Sequence, residues 1–229
     1  MNMDKSLQRE ILKFPLFAKD FNITSTELYD YQNSMTPYVL EERELRATQM
    51  DVFSRLMMDR IIWTAGVVDD RMSTIAQAQL MFLDSIAKKD IIMHIDSPGG
   101  SVKSGLSMVD VMQYISSDVS TINTGMAASM GAVLLGAGTK GKRYSLRFSR
   151  TMLHQSSGGA GGNIMDARIA FQEWEKYNKI LFELLGEFCG KPYEEIVKDC
   201  DRDNWLSSQE AVDYGIIDEI ILTRKEKKS

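Results

Sequence analysis

Ser129 stands in Gly125-Met126-Ala127-Ala128-Ser129-Met130-Gly131, where an apolar strand-like run hands over to a helix-like one. A serine at such a junction sits at the positive end of a helix dipole, near backbone N–H groups with no intrahelical acceptor. Its small neighbours leave room for a substrate backbone. The N–H of Met130 is a candidate to face the oxyanion that forms when Ser129 attacks a carbonyl. Taken alone, the same serine reads more readily as a plain helix cap, since serine is a favoured N-cap. A second donor is offered by Ser97-Pro98-Gly99-Gly100, where Gly100 has no side chain to block a substrate. An ordinary tight turn has the same composition. Two such turns at the carboxyl ends of neighbouring parallel strands would face one crevice, which is where α/β folds bind ligands.

A serine nucleophile needs a base, and the chain has only two histidines, His94 and His154. His94 lies inside an apolar strand-like run and reads as structural. His154 follows Thr151-Met152-Leu153, a short strand, and precedes a glycine run. That is a plausible cleft edge, from which it would take the Ser129 Oγ proton and return it to the leaving amine. The third member must be a carboxylate, and spacing does not choose among 32 acidic residues. The cluster Asp199-Cys200-Asp201-Arg202-Asp203 lies on a connection from which a side chain can reach a site, and it reads also as a solvated charged turn.

Other chemistries fare worse. Gly136-Ala137-Gly138-Thr139-Lys140-Gly141-Lys142 matches a phosphate loop until Arg143 takes the place of the Ser or Thr that holds magnesium. The run also follows a helix rather than a strand. Cys189 and Cys200 make no disulfide framework, and there is no Cys-x-x-Cys or His-x-x-x-His spacing, so neither a metal nor a cofactor is expected. The net charge of −5 provides no basic excess for a nucleic-acid backbone. The longest uncharged run, Val119 to Thr139, holds four glycines and several hydroxyl and amide side chains, too polar for a membrane span. With 44% hydrophobic and 26% charged residues over 229 positions, a soluble, cytoplasmic globular domain is the expectation.

These groups need elements to hold them. Ile61–Thr64, Asp90–Ile95 and Val119–Asn123 read as strands. Met72–Ile86, Gly105–Ile115 and Ala128–Ala137 read as helices between or after them. The alternation with short connections predicts an α/β layer fold with parallel strands. From Asp166 to Phe188 apolar residues step by three and four along one helix face, closed by Gly190 and Pro192. The flexible glycine run Ser156–Gly162 leads into it, so this helix can be a protruding handle. Ser207-Ser208-Gln209-Glu210 has capping-box spacing, and Ile216–Ile221 reads as a last strand. Residues 1–48 form a weakly patterned arm or pro-segment, and the tail Arg224–Lys228 a solvated end.

Taken in register, Asp96-Ser97-Pro98-Gly99-Gly100-Ser101-Val102, Gly125-Met126-Ala127-Ala128-Ser129-Met130-Gly131-Ala132, Gly138–Arg143, Met152-Leu153-His154-Gln155 and Asp201-Arg202-Asp203 resemble the proteolytic subunit family of the Clp protease, ClpP. The likeness runs from about Val52 to Leu222, with Tyr38–Met50 similar to the longer form of some members. It implies a crotonase-like spiral of β-β-α units over residues 49–229, with the handle at about 155–190. It implies a Ser129, His154 and Asp203 triad and an oxyanion hole from the N–H groups of Gly100 and Met130. Asp201 and Arg202 match the pair that links rings, so the resemblance implies a homo-oligomer of two heptameric rings. It implies an endopeptidase that cuts unfolded polypeptides fed by a separate AAA+ unfoldase of the ClpX or ClpA/ClpC type. Ser156-Ser157 stands where the family usually has Pro-Leu, Arg147 where proline is usual, and His94 where a tyrosine helps line the unfoldase pocket. The changes around the groove and handle keep open an alternative, a catalytically weak regulatory paralogue that co-assembles with another subunit. A CoA hydratase or isomerase of the same fold is a more distant one, since such enzymes move protons with carboxylates.

Overall fold

The computed structural model describes residues 38–43, 46–158 and 163–222, with side chains from Asp51 onward. Most of the expected arm, four residues of the glycine run and the charged tail lie outside the described residues. The chain enters with an antiparallel hairpin, β1 (Tyr38–Arg43) and β2 (Arg46–Asp51). Asp51 then caps α1 (Val52–Met58) by accepting from the Ser54 N–H at 2.9 Å.

The body is a mixed α/β fold. β3 (Ile61–Ala65), β4 (Ile91–Ser97) and β5 (Val119–Ala128) pair in parallel, joined by α2 (Asp70–Ile86) and α3 (Val102–Tyr114). Alternate β4 residues Ile91, Met93, Ile95 and Ser97 are buried, as period-two side-chain alternation requires. α4 (Met130–Gly136) follows β5 and is buried along its whole length, which explains its uninterrupted apolar sequence. The sheet continues through β6 (Arg143–Leu146) to β9 (Glu219–Ile221), and branches to β7 (Arg150–Leu153) and the antiparallel β8 (Asn204–Ser207). α5 (Ile164–Cys189), α6 (Tyr193–Asp199) and α7 (Ser208–Tyr214) complete the described elements.

Two sequence expectations are corrected. The strand expected to stop at Asn123 runs on to Ala128, and the helix expected from Ala128 begins at Met130. β5 has two parallel partners on the same side: Thr121–Asn123 pair with β6, and Met126–Ala128 with β7. Distant partners thus outweigh the strand-weakening Gly125, beside which the Asp96 carboxyl packs closely. The last strand is shorter than expected. Ile216 and Ile217 are buried as core plugs after Gly215, and only Glu219–Ile221 pairs with β6.

Other expectations hold. α5 starts at Asn163, whose side chain accepts from the Met165 and Asp166 N–H groups, and ends at Gly190 in the left-handed region at φ 68°. The capping box forms in full between Ser207 and Glu210. His94 stacks on its strand neighbour Trp63, ring centroids 4.7 Å apart. The false phosphate loop is a helix-to-strand connection claimed by a carboxylate. Asp218 accepts from the Gly141 and Arg143 N–H groups and forms a two-pronged ion pair with the buried Arg143 guanidinium. No helix among the described residues is long and apolar enough to cross a membrane.

Candidate active site

Strand register brings the three predicted residues together. Ala128 pairs with Met152 across β5 and β7, and the Ser129 N–H donates to the Met152 carbonyl at 2.9 Å. Leu153 pairs with Asn204 across β7 and β8. One residue beyond each pair therefore lie Ser129, His154 and Asp203, leaving the sheet at a common edge. Ser129 Oγ is 2.8 Å from His154 Nε2, and His154 Nδ1 is 3.1 Å from Asp203 Oδ1. With Nδ1 protonated toward the carboxylate, Nε2 carries the lone pair that accepts the serine proton.

Ser129 is not the helix cap its sequence position allows. Its side chain makes no capping hydrogen bond, and its backbone sits at φ 55°, ψ −122°. A non-glycine residue at positive φ is strained by about 1–3 kcal/mol and persists only where the surroundings impose it. Here those surroundings are two strand partners of β5 and a fully buried α4. The sharp turn lifts Oγ out of the sheet toward His154 instead of folding it back onto the helix.

The Ser97–Gly100 turn abuts this corner. The Ser97 hydroxyl donates to the Gly66 carbonyl at 2.6 Å and accepts from the Gly99 N–H at 3.1 Å, which fixes the turn. A Cβ on Gly99 would lie 2.7 Å from Ser129 Cβ and 3.0 Å from Met130 N, so only glycine permits this approach. Gly100 follows at φ 152° and is bridged to Val68 through its neighbours, since the Val68 N–H donates to the Gly99 carbonyl and the Ser101 N–H to the Val68 carbonyl. Met130 is the first residue of α4, a position whose N–H has no intrahelical acceptor. The two predicted donors thus belong to turns in contact with each other beside Ser129.

An apolar recess opens at the same point, lined by Val102, Met130, Val133, Leu153, Leu181 and Leu185 together with Ser129, His154 and Ser156. Its lining is mostly apolar and lies directly beside the nucleophile. Leu181 belongs to the apolar stripe of the 166–188 helix, and only the fold turns that stripe toward Ser129. Gln155 has an anchoring role that its sequence position does not show. The Gln155 N–H donates to the Cys200 carbonyl at 2.8 Å and its side-chain amide to the Asp201 carbonyl at 3.1 Å. Those bonds hold the His154 segment to the turn that carries Asp203. A local signal for them is lacking, because the side-chain bond spans 46 residues.

The side chains of Asp201 and Arg202 are 70% and 91% exposed, and they approach each other only to 3.7 Å. The thiols of Cys189 and Cys200 are both pushed up to about 12, mainly by burial, so neither rivals Ser129 as a nucleophile.

Comparison with known proteins gives a consistent result. A family model described as "Clp protease" matches residues 41–224. A curated protein of Bacteroides fragilis, "ATP-dependent Clp protease proteolytic subunit", is 51% identical over 191 residues, covering 83% of this chain and 92% of its own length. A protein of the same name from Porphyromonas gingivalis is 51% identical over 209 residues, covering 89% of this chain and 94% of the relative. One from Bacteroides thetaiotaomicron is 51% identical over 191 residues, covering 83% and 87%.

Proposed function

This chain belongs to the Clp protease family and is a serine-type proteolytic subunit of that kind, and we propose that it cuts peptide bonds with Ser129 as nucleophile, His154 as general base and Asp203 as the orienting carboxylate. The observation that carries this reading is the continuous hydrogen-bonded chain from Ser129 Oγ through the imidazole to Asp203, at 2.8 and 3.1 Å. As Ser129 Oγ attacks the scissile carbonyl, its proton passes to His154 Nε2. The oxyanion is received by the N–H groups of Gly100 and Met130. The carbon–nitrogen bond then breaks as His154 protonates the leaving amine, and water repeats the sequence to release the acyl group. Asp203 accepts the Nδ1–H throughout, holding the ring in the working tautomer and stabilising its charge.

The finer architecture follows the same reading. Residues 49–229 form the peptidase domain, a crotonase-like spiral of β-β-α units, and residues 1–48 are an arm or pro-segment. The region 155–190, with α5, is the handle by which two heptameric rings join. Asp201 and Arg202 suit a ring-linking role because both are exposed and lie within two residues of Asp203. Asp203 itself is 62% exposed, so water competes for its bond to His154 in the isolated chain. Covering this edge on assembly would strengthen that bond. The substrates are unfolded polypeptides delivered by a Clp ATPase, in the cytoplasm. A catalytically weak regulatory subunit is not favoured, since the proton-transfer chain is complete.

A fluorophosphonate probe tests the assignment. The assembled protein should be labelled on Ser129, and Ser129→Ala should lose both the label and the cleavage of a short fluorogenic peptide. Unlabelled protein in the assembled state, or full activity in Ser129→Ala, overturns it.

A further inference from the structure

We propose that Asn178, on α5, is a positioning residue for the general base, holding the His154 segment against this helix through Ser156; the proposal rests on His154 being the base. After Leu153 the chain leaves the sheet; Gln155 and His154 Nδ1 bond to the segment Cys200–Asp203, while His154 Nε2 meets Ser129 Oγ. Ser156 makes a contact to a different element, α5. Its N–H and its hydroxyl both donate to Asn178 Oδ1, at 3.0 and 3.1 Å. One side-chain carbonyl thus takes two hydrogen bonds from one residue, 22 positions away in sequence.

The place of Asn178 on its helix matters. Leu181 and Leu185 follow it by three and seven residues and share its face. Both line the recess beside Ser129. The helix face that forms the recess wall therefore also grips the chain two residues beyond His154. With the grip released, the chain beyond His154 keeps the Gln155 bonds to Cys200 and Asp201 but loses its tie to α5, which lets Nε2 drift from Ser129 Oγ. Misplacing a catalytic group by about 1 Å costs up to roughly a hundredfold in rate. Only the carbonyl oxygen of Asn178 takes part in these two bonds. An aspartate keeps that acceptor, whereas leucine keeps the shape and loses it.

The test uses the full chain in its assembled form, with a short fluorogenic peptide as substrate and particle mass measured alongside. Asn178→Leu should lower kcat about tenfold with KM within about twofold and particle mass unchanged. Ser156→Ala, which removes one of the two bonds, should lower kcat about threefold. Asn178→Asp should stay within about threefold of the parent, since it retains the acceptor. The proposal is overturned if Asn178→Leu keeps the parent kcat, or if Asn178→Asp is as impaired as Asn178→Leu. It is also overturned if activity is lost only together with the assembled particle while Ser156→Ala is unaffected. Ser129→Ala serves as the separate control: if that variant still cleaves, the triad reading fails, whatever Asn178 does.

Discussion

The strained backbone of Ser129 makes its own prediction at the scale of one residue. At φ 55°, ψ −122° a glycine is at ease and an alanine is not. Ser129→Gly and Ser129→Ala should both be inactive, yet the glycine variant should be more stable by about 1 kcal/mol. Thermal unfolding of the two variants reads this directly, and an equal or higher melting temperature for alanine would show that the corner carries no strain. The residue types around Ser129 were visible in the sequence because small residues cluster there. Its backbone conformation was not, since an N-cap serine and an exposed nucleophile have the same neighbours in a single chain. Asp203 was less legible still: one of three acids in five residues, it is picked out in space by the pairing of Leu153 with Asn204.

At the scale of elements, one buried ion pair reinforces the strand pairing of β6 with β9. Arg143 is 2% exposed, and Asp218 receives its guanidinium through two atoms at 2.6 and 2.9 Å. Burial alone would push the Asp218 carboxyl up. The hydrogen bonds from the Arg143 side chain and backbone and from Gly141 prevail and hold it below the usual carboxylate range. A carboxylate lowered in the folded state contributes stability that is complete above its unfolded value, about 4. That contribution is lost as pH falls through the lowered folded value. Asp218→Asn should therefore cost about 3 kcal/mol near neutral pH, because it strands a buried guanidinium. The difference from the parent should shrink as the pH drops below about 4. Denaturant unfolding across that range checks it, and a pH-independent difference would contradict the assignment. The helices here were readable from apolar spacing, because a helix buries one stripe of its own sequence. β5 was misjudged beyond Asn123, because a strand's length is set by partners that its own residues do not name.

For the whole molecule, the prediction concerns assembly. If Asp201 and Arg202 link rings, Arg202→Ala should leave the fold of the single chain intact, since that side chain is 91% exposed. Native mass spectrometry should then find half-size particles in place of the double ring, with peptide cleavage reduced at least about tenfold. An undiminished double ring would remove that role. Some features of this protein are written in local sequence: the helix stripes, the capping box at Ser207, the glycine end of α5, and a serine between small residues. These depend on neighbours within a few positions, so one chain suffices to read them. Others came into being only with folding. Register across three strands sets Ser129, His154 and Asp203 within hydrogen-bonding reach, the face of α5 supplies a recess and a grip on Ser156, and a distant carboxylate occupies the glycine loop before Arg143. Each depends on residues brought together from 22 to 77 positions apart, and that closeness is a property of packing which no local pattern encodes.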